Sequence, residues 1–67
     1  MMDENIQKRG EWIERYAARL LARLPALPSA AALDRAQVAW ACGAGRLEPE
    51  HAADDELRRE SEAEAPV

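Results

Sequence analysis

This chain has no phenylalanine, one cysteine and one histidine, and no apolar run near the ~20 residues that a helix needs to cross a bilayer. Each scarcity narrows what the protein can be. A lone cysteine, Cys42, cannot close a disulfide within the chain, and Cys42 with His51 falls short of the four nitrogen or sulfur ligands that a structural zinc requires. No metal or other cofactor is expected. The opening "MMDENIQKRG" lacks the charged start followed by an apolar stretch that marks a secretory leader, so a cytoplasmic location is expected. Catalysis is excluded by inventory. The candidate nucleophiles are Ser29, Ser61 and Cys42, the single His51 lies in another segment, and Cys42 falls near a helix C-terminus, where the dipole disfavours a thiolate. The chain is therefore read as a non-enzyme.

Large apolar side chains are scarce too. Hydrophobic residues make up 48% of the chain, but 15 of the 67 residues are alanine and only 11 are Ile, Leu or Val. Short chains bury a small share of their surface, and alanine adds little area to what is buried. Self-association is expected to make up the deficit.

What is present is helical patterning. Ile6, Ile13, Ala17, Leu20, Leu21 and Leu24 recur at helical spacing and predict a helix over 3–24, capped by Asp3 and ended by Pro25. "PALPS" reads as a short connector with Ser29 as N-cap of a second helix over 30–43, whose Leu33, Ala36, Gln37, Trp40 and Ala44 share a face. "ACGAGR" reads as a helix stop, its glycines suited to the left-handed turn past a last helical residue. The bare "GAG" follows a helix with no strand before it, which is the wrong context for a phosphate loop. A third helix over 49–60 is possible, with Pro49 in its first turn, but its apolar face is only Leu47, Ala53 and Leu57. Residues 61–67 are expected to be a disordered tail. The expectation is an all-α helical hairpin in a single domain, 1–60, paired as a homodimer into a four-helix assembly. Ile6, Ile13, Ala17, Leu20, Leu24, Leu33 and Trp40 are its core and dimer residues.

Charge is unevenly spread. Residues 1–24 hold five basic and four acidic groups, whereas residues 46–67 hold three and eight. Arg15, Arg19 and Arg23 stand four apart on one face of the first helix, beside Trp12 and Tyr16. Trp, Tyr and Arg together are the composition of a binding hot spot, and these five residues form the candidate partner surface. Trp12 and Trp40 could instead plug the hairpin or its dimer contact. Ala39 and Gly43 are spaced as in a helix-turn-helix, yet the helix that would read DNA holds Glu48, Glu50, Asp54, Asp55 and Glu56, the wrong charge for phosphate.

In size and layout, "EWIERYAARLLARL" and "LDRAQVAWACGAGRL" around "PALPS" resemble the short helical-hairpin proteins by which bacteriophages and plasmids inhibit host proteins, among them quorum-sensing anti-activators and anti-CRISPR proteins. The resemblance spans about residues 3–47 and carries no diagnostic motif, so it transfers no functional residue. It implies a protein partner such as a host transcription regulator, bound stoichiometrically and inactivated. A small DNA-binding regulator or antitoxin, and an accessory subunit or chaperone that folds with its partner, are the alternatives.

Overall fold

A computed structural model describes the backbone of residues 3–64 and the side chains of residues 8–61. The described residues are all-helical: α1 (Asp3–Arg23), α2 (Ser29–Ala41), a single 3-10 turn (Ala44–Arg46) and α3 (Pro49–Glu64). The expected hairpin is therefore present as α1 and α2, with a third helix added to it.

Local chemistry sets the boundaries. The Leu24 N–H donates the last helical bond of α1 to the Leu20 carbonyl at 2.7 Å, and Pro25 has no N–H with which to continue. α2 starts where the Pro28 carbonyl accepts from Ala32 N–H at 3.0 Å. Pro28 is the N-cap, at φ −63° and ψ 146°, and no side chain caps the helix. Ser29, expected in that role, is the first helical residue instead, because proline's locked φ already supplies the extended cap geometry. At the other end Gly43 adopts φ 97°, and its N–H donates to the Trp40 carbonyl at 3.0 Å, which is the left-handed stop expected from "ACGAGR". Gly45 serves another purpose. A methyl group there would lie 2.6 Å from Cε3 of Trp40, so the glycine lets the backbone lie against that indole.

The packing has one dominant member. α1 contributes the large buried side chains, Trp12, Tyr16 and Leu20, together with Ala17, while α2 contributes Ala32, Ala36 and Ala39, and α3 contributes Ala52 and Ala53. Alanine-faced helices approach closely, so the big residues of α1 are enclosed from two sides. α2 returns antiparallel to α1. α3 runs parallel to α1 at a constant register, because Trp12 meets Leu47, Arg15 meets Glu50 and Arg19 meets Asp54, each pair 35 residues apart. α3 thus provides within the chain the cover for which a second hairpin was expected.

The buried face of α2 differs from the expected one. Ala32, Ala36 and Ala39 point inward, which turns the helix by roughly a quarter turn from a face centred on Leu33 and Trp40. Leu33 is 40% exposed rather than in the core, and Trp40 is half-buried. Ala17 and Leu20 are buried as expected, while Ile13 and Leu24 are half-buried. The side chain of Ile6 lies outside the described residues. α3 also extends past its expected end at 60, so residues 61–64, assigned to a disordered tail, are helical. Residues 65–67 lie outside the described residues.

Candidate functional site

The arginine row on α1 is occupied from within the chain. Arg15 donates through Nε and Nη2 to both carboxylate oxygens of Glu50 at 3.0 and 2.8 Å, and Arg19 does the same to Asp54 at 2.9 and 2.8 Å. Arg23 reaches Asp54 at 3.3 Å, and Arg15 also lies 3.6 Å from Glu48. These three arginines, expected to face a partner, clasp α3 because its register brings Glu50 opposite Arg15 and Asp54 opposite Arg19, with Arg23 sharing Asp54. The hydrogen bond from Arg19 holds the Asp54 carboxyl below its usual range, aided by the charges of Arg19, Arg23 and His51 against some desolvation. Arg15 lowers that of Glu50 in the same way. All these groups remain well exposed to water, so each pair contributes little alone and is screened by salt.

The aromatic half of the expected partner surface lies in the core. Trp12 is 6% exposed and Tyr16 only 1%, covered by α3 on one side and by α2 on the other. Their rings stack with centroids 5.0 Å apart, and the Trp12 indole N–H donates to the Leu47 carbonyl at 2.8 Å. The Tyr16 hydroxyl donates to Glu56 at 3.4 Å. Burial pushes the Tyr16 phenol up to about 12, with the Glu56 charge adding to the rise and Arg35 opposing it. Tyr16 cannot meet a partner while α3 is docked, and Trp12 keeps only 6% of its surface exposed. The alternative reading of Trp12, as a plug of the hairpin, is the one that matches its burial, while Trp40, read the same way, is half-buried.

Two concave surfaces among the described residues bear on binding. The first lies where α1, the 3-10 turn and the start of α3 converge, a cleft of about 360 Å³ lined by Trp12, Trp40, Gly45 and Leu47, with Lys8, Glu11, Arg15 and Glu48 around it. Trp40 meets Trp12 edge-on at 5.5 Å and 65°, and Gly45 supports the other side of its ring. The result is a half-exposed indole fixed in orientation and ringed by charges of both signs.

The second is a groove of about 550 Å³ between α2 and α3. One wall holds Asp34, Val38, Cys42 and Arg46, and the other holds Asp55, Glu56 and Arg59. Val38 is 56% exposed and Leu47, at one end, is 51% exposed. With Leu33, these are the large apolar side chains left uncovered among the described residues, and all three belong to α2 or the link after it. Sequence patterning missed Val38 and Leu47, because a face centred on Leu33 and Trp40 leaves Val38 at its flank and Leu47 beneath α3. The signal was the alanine spacing at 32, 36 and 39, which identifies the inward face once small residues are counted as packing residues.

His51 lies on the outer side of α3 near Asp54, Asp55 and Arg58, and no described group of His, Cys, Asp and Glu could hold a metal ion. Cys42 is an exposed free thiol. No buried side-chain nitrogen or oxygen among the described residues lacks a hydrogen-bond partner. No described helix is long and apolar enough to cross a membrane. No protein-family model, curated protein or solved structure matches the chain.

Proposed function

We propose that this protein acts by binding another protein through the Trp40 cleft and performs no chemistry of its own. The carrying observation is the half-exposed Trp40 indole, held between Trp12 and Gly45 and ringed by Lys8, Glu11, Arg15 and Glu48. A rigid aromatic with a polar rim is how binding energy concentrates at protein interfaces, since the rim excludes water from one well-packed anchor. The fitting partner presents an apolar side chain flanked by hydrogen-bonding groups. That this partner is a host regulatory protein, inactivated stoichiometrically, follows from the resemblance to phage and plasmid inhibitors.

DNA binding is the less favoured reading, because the arginines that would neutralise phosphate already hold Glu50 and Asp54. The accessory-subunit reading is also weakened, since α3 supplies the cover that was to come from a partner.

The test is affinity capture with the tagged full-length chain in a nuclease-treated bacterial lysate, alongside a Trp40→Ala bait. The expected result is one protein retained near equal stoichiometry by the wild type and lost from Trp40→Ala, while circular dichroism shows unchanged helicity. Retention that survives Trp40→Ala removes the cleft from the reading, and capture that appears only without nuclease replaces it with nucleic acid.

A further inference from the structure

α3 covers a face of α1 that has the composition of a binding site. Beneath it lie the stacked rings of Trp12 and Tyr16, and beside them runs the row Arg15, Arg19 and Arg23. Aromatics set among arginines are the residues that carry most of the binding energy at protein interfaces. The cover is lightly held for what it hides. Its buried residues are Pro49, Ala52 and Ala53, and its one large aliphatic side chain, Leu57, is half-buried. Glu50 and Asp54 each keep 37% of the side chain exposed, so the clasp that they form is shallow and screened by salt. On its other flank α3 is parted from α2 by the groove of about 550 Å³. The chain enters α3 through a link that turns at Gly43, with φ 97°.

We propose that α3 is a displaceable internal cover over this face of α1, and that an acidic helix of a partner protein takes its place. α3 itself specifies the chemistry of that helix. Glu50 and Asp54 stand four residues apart opposite Arg15 and Arg19, and Ala52 and Ala53 between them let the backbone approach the stacked rings. A partner helix with two carboxylates four apart and small residues between them meets the same arginines. It improves on α3 by placing a large apolar side chain toward the exposed Val38, across the groove where α3 presents Asp55, Glu56 and Arg59. Tethering sets the threshold, because an attached α3 competes at an effective concentration on the order of millimolar and turns weaker acidic helices away. The covered face adjoins the Trp40 cleft at Trp12 and Arg15 but does not depend on the Trp40 indole.

Fluorescence anisotropy with a labelled synthetic peptide of residues 48–64 tests the exchange on the full chain. Asp54→Arg in the chain sets α3 against Arg19 and Arg23, and is expected to tighten peptide binding about tenfold or more over the wild-type chain. The same reversal in the peptide is expected to abolish binding to both chains. Hydrogen exchange is expected to show α3 of the chain losing protection as the peptide binds, with α1 unchanged. If Asp54→Arg loses helicity by circular dichroism, Glu50→Gln with Asp54→Asn weakens the clasp without repulsion, and the same order of affinities is expected. A peptide that binds neither chain overturns the proposal. Equal binding to wild type and variant, or binding that leaves α3 protected, overturns it too. A wild-type dimer in sedimentation equilibrium that Asp54→Arg dissociates makes a second copy's α3 the occupant and overturns the foreign helix. The exchange is measured on purified components, so it stands or falls apart from capture through Trp40.

Discussion

Three glycines in this chain look alike in sequence and differ in consequence. Gly10 sits in α1 with no atom within 4 Å of where a methyl group would be, so Gly10→Ala should stabilise the fold by about 1 kcal/mol through helix propensity. Gly45→Ala drives a methyl into the Trp40 ring at 2.6 Å, and should destabilise by about 1–3 kcal/mol while displacing the indole from its cleft. Thermal melts of the two variants separate these signs, and an unshifted Gly45→Ala melt would mean that Trp40 is not held against the turn. Trp40 is thus placed by a residue that has no side chain.

Among the helices, α3 is the least firmly held by apolar contact. Pro49, Ala52 and Ala53 are its buried residues, Leu57 is half-buried, and much of its docking specificity comes from Arg15, Arg19 and Arg23. Asp54 and Glu50 titrate lower in the folded chain than they do unfolded, so their contribution is complete at neutral pH. It is lost as pH falls through their depressed range. Asp54→Asn should remove part of that acid sensitivity and part of the sensitivity of α3 to added salt. Hydrogen exchange resolved by helix is the measurement, with α3 expected to lose protection before α1 and α2. Equal loss in all three helices would show that the clasp does not act on α3 separately.

For the whole molecule, the stacked aromatics decide whether the chain folds. Trp12 is nearly enclosed, contacts both Tyr16 and Trp40, and satisfies its indole N–H on Leu47, so it joins α1, α2 and the link to α3. Trp12→Ala should cost about 3–5 kcal/mol, a large part of the stability of any domain this small. Loss of helicity and of cooperative melting is the expected outcome. A folded Trp12→Ala protein that had lost only partner binding would return Trp12 to the surface role first read from its position beside the arginines.

Helix spacing, proline and glycine placement, and the segmental charge imbalance were enough to determine an all-α chain, the positions of α1 and α2, and the stop at Gly43. These features act over a few residues and do not depend on what packs where. The inward face of α2 was decided only in the folded molecule, because three alanines can approach Trp12, Tyr16 and Leu20 more closely than a face carrying Leu33. The fate of the arginine row was decided there too. Arg15, Arg19 and Arg23 on one helix face are compatible with a partner protein, with DNA or with another part of the same chain. The parallel register of α3, 35 residues on, brings Glu50 and Asp54 opposite them and leaves Trp40, Val38 and Leu47 as the surface that faces outward.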